Sequence, residues 1–349
     1  MDLTVVICTY NGADRLPAVL DRLADQVIAP CVSWELVVVD NNSQDRSAQV
    51  ASGHPVKVLL SSRMKIVYEH RQGLAYARRR AVQIANGALI AFLDDDNLPS
   101  QNWIQSVYNF GQQYPDAGAY GSQIIGQYGA PPPPKFERIA CFLAVIDRGN
   151  QPFRYDQLDR WLFPAGAGLV VRKQAWLQAV PEQPALSGVS AKGLNGKGED
   201  IETLSYLRKA GWPIWHNPDM RIEHVIERDR LSENYLLKLF KGVGLSRYHT
   251  RTIRFSAWQK LPVTTAYILK DLSRLVVHRL EHYKSRREGR NSIVVSCERT
   301  LLYYSILSPF YHFFNSISKP QILKIMLKSI RSIERHVLIR FKSFRVDSS

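Results

Sequence analysis

The sequence predicts an α/β fold with a mostly parallel central sheet, followed by a basic α-helical C-terminal extension. Three observations carry that prediction. Runs such as Leu3–Cys8, Leu36–Val39 and Leu89–Leu93 are almost wholly apolar over strand length, the pattern of strands covered by helices on both faces. Helical stretches fall between these runs, which makes the repeating unit strand, helix, parallel strand. Charge divides the chain: residues 1–227 carry 22 Lys+Arg against 23 Asp+Glu, whereas residues 228–349 carry 24 against 8, so the formal net charge of +15 belongs wholly to the last third. Such a surplus describes an interaction surface, for which anionic lipid and nucleic acid are both candidates. The expected division is therefore residues 1–227 and 228–349.

Taken in order, Leu3–Thr9 is the first strand, turning at Asn11-Gly12 into a helix from about Arg15 to Gln26. Trp34–Asp40 repeats the pattern and stops at Asp40-Asn41-Asn42. The polar ends Thr9-Tyr10 and Asp40 should emerge on one edge, together with the ends of later strands. Lys65–Tyr68 is a third strand, and Gly73 leads into a helix from Leu74 to Asn86, ended by Gly87. That helix bears Arg78, Arg79 and Arg80; consecutive residues point apart on a helix, so at most two can face a common site, and Arg79 and Arg80 read as surface charges.

Ala88–Pro99 is the stretch around which the rest is organised. Leu89–Leu93 is a buried strand, and Asp94, Asp95 and Asp96 follow at its carboxyl end, where open parallel sheets place ligands. Three adjacent carboxylates need offsetting positive charge. A divalent cation held by one or two of them and bridging a diphosphate would supply it. The alternative is a solvated acidic loop capping the next helix.

Trp103–Tyr114 reads as a helix, Ala119–Ile125 as a strand and the proline run 131–134 as a loop. Gly166 and Gly168 open another strand, either to let backbone approach a ligand or to make a tight turn. A glycine-rich loop from Gly193 delivers Glu199 and Asp200 to the start of a helix with Ile201, Leu204 and Leu207 at helical spacing. Acidic residues also occur there simply to suit the helix dipole. Trp212–Pro218 and Met220–Ile226 read as a short strand, a turn and a second strand holding His224. From Ser232 the period is helical: Leu236, Leu239 and Phe240, then Leu269, Leu272, Leu275 and Val276, then Ile322, Ile325, Met326 and Ile330. Lysines, arginines and the aromatics Tyr303, Tyr304, Phe310, Tyr311, Phe313 and Phe314 surround them, the composition of helices lying in a membrane interface.

The cysteines, Cys8, Cys31, Cys141 and Cys297, have no zinc-ligand spacing and read as reduced thiols. Met1-Asp2 runs straight into a strand without a leader pattern, so a cytoplasmic location is expected, peripheral at the inner face of the membrane. No run reaches the ~18–20 apolar residues that cross a bilayer. The nearest, Leu301–Phe314, is interrupted by Ser305, Ser308, Pro309 and His312 and could lie on a membrane.

Six motifs now stand in order: Cys8-Thr-Tyr-Asn-Gly12, Val39-Asp-Asn-Asn-Ser43, Gly73-Leu-Ala-Tyr-Ala-Arg78, Phe92-Leu-Asp-Asp-Asp96, Gly198-Glu-Asp200 and His224. Over residues 1–227 this series resembles that of the family 2 nucleotide-sugar glycosyltransferases of GT-A fold. The whole chain also resembles glycosyltransferases assigned to hormogonium polysaccharide biosynthesis. The resemblance implies an inverting, metal-dependent transfer of a sugar from a nucleoside diphosphate, with UDP expected, to a glycan or lipid-linked acceptor. It implies a base pocket at Thr9, Tyr10 and Asp40, with Arg78 near base or phosphate and Asp94 and Asp95 on the donor. A divalent cation, Mn²⁺ or Mg²⁺, would sit on Asp96 and His224. Asp200 corresponds to the base that takes the acceptor's proton, with Glu199 as an alternative base or acceptor contact; Gly166 and Gly168 are expected on the acceptor side. One departure is Arg79, where many members have Asn.

Two rival readings are weaker. A nucleic-acid-binding protein would use the basic last third, but no helix-turn-helix or zinc-finger pattern is present and the motif series would be unexplained, so nucleic acid is not expected as a partner. A nucleotide-sugar-binding protein without catalysis is opposed by the joint presence of Asp94, Asp96, Asp200 and His224.

Overall fold

The computed structural model describes residues 1–158, 160–188, 197–282 and 292–316, the last three without their side chains. Strands β1 (Leu3–Thr9), β2 (Trp34–Asp40), β3 (Met64–Tyr68) and β4 (Leu89–Asp94) form a parallel array in the order β3-β2-β1-β4. All residues of β1 and β2 are buried, as two-sided apolar runs require. Alternate side chains go to opposite faces. Leu3, Val5, Ile7, Leu36 and Val38 pack under α1 (Leu16–Ala24), α2 (Ser47–Gly53) and α3 (Val56–Leu60), while Val6, Cys8, Val37 and Val39 pack under α4 (Leu74–Ile84). The register sets Thr9 beside Asp40, Asp40 beside Tyr68 and Cys8 beside Asp94, so these strand ends share one edge.

Beyond β4 the sheet becomes mixed. It continues through β5 (Asn97–Pro99), α5 (Trp103–Gln113), β6 (Ala119–Tyr128), β7 (Phe153–Arg154), β8 (Val170–Arg172), α6 (Lys173–Ala179), α7 (Glu199–Lys209) and β9 (Ile214–Ile226). β8 lies antiparallel between β4 and β6; β9 runs parallel to β6 and carries β5 and β7 antiparallel beside it. The expected strand, turn and strand around His224 are therefore one strand. Its ladder with β6 skips from Gly121 opposite His216 to Gln123 opposite Arg221, and Pro218 sits in that bulge, where its missing N–H costs no ladder bond.

The C-terminal part is helical: α8 (Glu233–Thr252), capped by Ser232, then α9 (Ala257–Glu281) and α10 (Ile293–Ser316). An apolar cluster crosses residue 227, joining Phe136, Ile139, Leu143 and Ile226 to Leu236, Leu239 and Phe240 of α8 and to Val294, Cys297 and Leu301 of α10. Close approach of α8 and α10 depends on Gly244, where a Cβ would meet the Tyr304 Cβ at 2.6 Å. Ser308 fastens the same pair, its Oγ accepting from the Tyr248 N–H at 2.8 Å and donating to the Leu245 carbonyl at 2.5 Å.

The first half of the Leu301–Phe314 stretch thus faces protein, with Leu301, Ser305, Ile306, Leu307 and Ser308 buried, whereas Phe313 is exposed. The apolar face turned outward belongs to α9 instead. Trp258, Leu261, Leu269, Leu272 and Leu280 follow one stripe and are 77%, 77%, 62%, 47% and 55% exposed, while Asp271 and Leu275 face inward. No helix among the described residues is long and apolar enough to cross a membrane. Gly193, Ile322, Ile325, Met326 and Ile330 lie outside the described residues, as does the Phe314 side chain.

Candidate active site

The acidic turn after β4 contains no uncompensated charge: each of its three aspartates faces its own arginine. Arg78 of α4 lies 3.6 Å from Asp94, Arg15 lies 3.0 Å from Asp95, and Arg230 lies 2.5 Å from Asp96. The positive charge that three adjacent carboxylates require is therefore supplied by side chains. Arg15 stands just ahead of α1 and forks onto both Asp95 oxygens, at 3.0 and 3.1 Å, while the Thr9 hydroxyl donates to the same carboxylate at 2.7 Å. Thr9 and Asp95 are thus bonded to each other. Asn97, fully buried, shapes the turn: its Oδ1 accepts from the Asp94 N–H at 3.1 Å and its Nδ2 donates to Asp96 at 2.9 Å.

At the neighbouring strand ends, Asp40 is buried and accepts from the Ser43 N–H at 2.9 Å, and Tyr10 is half-buried beside it. Asn41 ties β2, β3 and α4 together, donating to the carbonyls of Glu69 and Arg71 and accepting from the Gly73 N–H. Arg79, which departs from the family pattern, donates to the Pro181 carbonyl at 2.7 Å and pairs with Glu182 at 3.5 Å. It holds the 181–182 segment rather than standing free on the surface.

Arg78 is the hub of the second half of the site. It is 4% exposed, lies over the Phe92 ring, donates to the Gly166 carbonyl at 3.2 Å and stands 3.7 Å from Glu199. The Gly166 N–H donates to Asp200 at 3.0 Å, so one residue holds both the arginine and the carboxylate. A side chain at Gly166 would press on Arg78, since a Cβ would lie 2.8 Å from its guanidinium and the arginine would have to shift. Gly168, at φ +65°, is instead dictated by packing: a Cβ would meet Ile222 at 2.2 Å and Ser122 at 2.4 Å. Glu199 and Asp200 open α7, where the dipole favours acids. Burial pushes the Glu199 carboxyl up and the charge of Asp200 adds to it, with Arg78 pulling the other way.

His224 lies opposite Asn97 in the β5–β9 ladder, which brings its Nε2 to 3.4 Å from Asp96 Oδ2. Two atoms so placed could both serve as ligands to one divalent cation at ordinary distances of ~2.1 Å. The pair fits a metal. Among the described residues no group of three or more His, Cys, Asp or Glu side chains gathers for one. Burial pushes the Asp96 carboxyl up, but the neighbouring His224 and the charges of Arg230 and Arg15 outweigh that and hold it below the usual carboxylate range.

Arg15, Asn97 and Arg230 were not singled out by sequence. Arg15 and Asn97 flank expected motifs, so their proximity was a signal available in principle; Arg230 comes from the four-residue turn Arg228–Leu231, which no local pattern marks.

A family model described as "Glycosyl transferase family 2" matches residues 4–177, which include Thr9, Asp40, Arg78 and the three aspartates. Among curated proteins, the glycosyltransferase AglE of Haloferax volcanii is 30% identical over 103 residues, covering 30% of this chain and 33% of that protein. The Escherichia coli UDP-Glc:alpha-D-GlcNAc-diphosphoundecaprenol beta-1,3-glucosyltransferase WfgD is 26% identical over 160 residues, covering 42% and 60%. A PGL/p-HBAD biosynthesis glycosyltransferase of Mycobacterium tuberculosis is 34% identical over 124 residues, covering 35% and 46%. The matches thus span from a third to 60% of these relatives' length. Among solved structures, S. aureus TarS 1-349 overlays with a TM-score of 0.49 at 15% identity, covering 89% of this chain and 91% of that one. Through residues 4–177, which hold the acidic turn together with Arg15 and Arg78, the chain belongs to glycosyl transferase family 2.

Proposed function

We propose that the chain is an inverting, metal-assisted glycosyltransferase that moves a sugar from a nucleoside diphosphate, UDP by preference, to a glycan or lipid-linked acceptor. The observation that carries this reading is the convergence of Asp94, Arg78, Gly166, Glu199 and Asp200 at the carboxyl edge of the parallel strands. The name of WfgD, a UDP-Glc:alpha-D-GlcNAc-diphosphoundecaprenol glucosyltransferase, supports the donor and acceptor classes.

In this reading Tyr10 and Asp40 line the base pocket, and Thr9 and Asp95 act together as part of its floor, kept in place by Arg15. Asp94 faces the ribose or sugar, and Arg78 orients it while supporting the start of α7. Asp200 takes the proton from the acceptor hydroxyl on the face opposite the leaving diphosphate. Asp96 and His224 would hold the divalent cation, which when bound supplies Lewis-acid charge neutralisation of the diphosphate. Gly166 positions Asp200 through its N–H, and Gly168 supports that loop by packing. The test is a donor screen: hydrolysis and transfer of UDP-, GDP- and dTDP-sugars with Mn²⁺, Mg²⁺ or EDTA. We expect a UDP-sugar to turn over with Mn²⁺ or Mg²⁺; no turnover of any donor, or full turnover in EDTA, would refute the activity or its metal requirement respectively.

Residues 1–227 are the proposed catalytic part, and residues 228–349 the part that meets the cytoplasmic membrane face. The outward stripe of α9 supports this, since Lys260, Lys270 and Arg274 accompany Trp258, Leu261, Leu269 and Leu272 on the same helix. Each basic residue near an anionic leaflet contributes ~1 kcal/mol before screening. The full chain is expected to float with anionic vesicles at low salt and to detach as salt rises. Replacing Leu261 and Leu272 together by Ser should weaken binding at least about tenfold by removing apolar insertion, while donor hydrolysis stays unchanged. Failure to bind vesicles, or tight salt-insensitive binding to duplex DNA instead, would refute it.

A further inference from the structure

We infer that Arg230 occupies the cation position of the free protein, and that a divalent ion can enter only by displacing it. The Arg230 Nη1 lies 2.5 Å from Asp96 Oδ2 and 3.1 Å from His224 Nε2, and those two atoms are themselves 3.4 Å apart. A guanidinium N–H can only donate. It therefore engages a lone pair on Asp96 and the lone pair of His224 Nε2, the same electron pairs through which both residues would bind a metal. Arg230 and a cation on these two ligands exclude one another.

The surroundings allow the exchange. Arg230 belongs to the short turn Arg228–Leu231 that joins β9 to α8, and its side chain is 23% exposed, so it can swing toward solvent without moving a strand. Leu231, next in sequence, stays buried in the apolar cluster shared with α8, which keeps the backbone of the turn in place. The departing guanidinium gives up its interactions with Tyr235, whose hydroxyl accepts from it and whose ring centroid lies 5.8 Å away, but its Nε has no hydrogen-bond partner among the described residues to give up. One positive charge is enough to hold Asp96 while the site is empty of phosphate. A diphosphate brings further negative charge and further oxygen ligands, and both favour a divalent ion over a guanidinium. Cation and donor should consequently bind with positive coupling, and the cation alone should bind weakly.

The magnitude follows from population. If Arg230 holds the site nine-tenths of the time, the apparent affinity for the ion falls about tenfold relative to a site kept open. The inference rests on the glycosyltransferase reading only for the identity of the competing ion, and it is tested without turnover. Full-length protein is titrated with Mn²⁺ in the absence of nucleotide, free Mn²⁺ being read by electron paramagnetic resonance, for wild type, Arg230→Ala, Arg230→Gln and Asp96→Asn. We expect Arg230→Ala and Arg230→Gln to bind Mn²⁺ at least about tenfold more tightly than wild type, Asp96→Asn to bind none at this site, and UDP to tighten wild type more than either Arg230 variant. Equal Mn²⁺ affinity in wild type and whichever Arg230 variant melts as wild type does would overturn the exchange. Absence of Mn²⁺ uptake by every protein, with and without UDP, would instead overturn the cation reading of Asp96 and His224.

Discussion

Replacing Asp200 by Asn lowers turnover by about 10²–10⁴-fold, the contribution of a positioned general base, while leaving donor affinity within about twofold of wild type. The separation is expected from geometry. Asp200 is held by the N–H of Gly166 and by the N–H of Ile201 at 2.8 Å, and among the described residues none of its hydrogen bonds reaches the acidic turn. An asparagine Oδ1 can still accept from Gly166, so the loop keeps its place, but the amide cannot take a proton. Glu199→Gln is the control. Glu199 stands 3.7 Å from the Arg78 guanidinium, and its loss should disturb donor binding through that arginine. Donor Kd by calorimetry beside kcat decides: a collapse of donor affinity in Asp200→Asn would place Asp200 on the donor side and move the base to Glu199.

Arg78→Met carries the largest expected cost in stability. Arg78 is 4% exposed and is the shared partner of Asp94 and Glu199, so its removal leaves a buried carboxylate without its counter-charge. Breaking such a pair from one side costs about 3 kcal/mol, and at ~2–4 °C per kcal/mol for a domain of this order the melting temperature should fall by roughly 6–12 °C. Arg78→Lys keeps the charge but cannot fork between the Gly166 carbonyl and two carboxylates, so about half the loss should remain. A melting temperature unchanged within 2 °C in Arg78→Met would show that the two acids find other partners and that Arg78 is not the hub.

Much of the fold was legible because the first strands are apolar on both faces and end in polar residues, a pattern with few other solutions. The acidic turn and the Glu199-Asp200 helix start were visible for the same reason: each sits at the end of an element, where side chains leave the core; Arg78, inside α4, and His224, inside β9, were visible through the motif series. What sequence hid was pairing. Nothing local says that Arg15 belongs to Asp95 or Arg230 to Asp96, since those partners lie 80 and 134 residues away. The three-residue β5 was also invisible, although it is the strand that sets Asn97 opposite His224. In the C-terminal third the helical period was plain but its facing was not. Leu301–Phe314 is the more apolar of the two, with no Asp, Glu, Lys or Arg, yet it is this segment whose first turns pack on α8, while α9 keeps an apolar stripe outward.

The apolar cluster that crosses residue 227 has a consequence for the order in which the protein is made. Phe136, Ile139 and Leu143 leave the ribosome more than 150 residues ahead of Leu301, which forms part of their cover. At ~5–20 residues per second that interval is on the order of 8–30 s. The parallel strands and the acidic turn can assemble during it, but the wall behind β9 cannot. The nascent chain therefore carries an uncovered apolar face throughout the synthesis of α8 and α9, and ribosome-bound chaperones have their longest opportunity there.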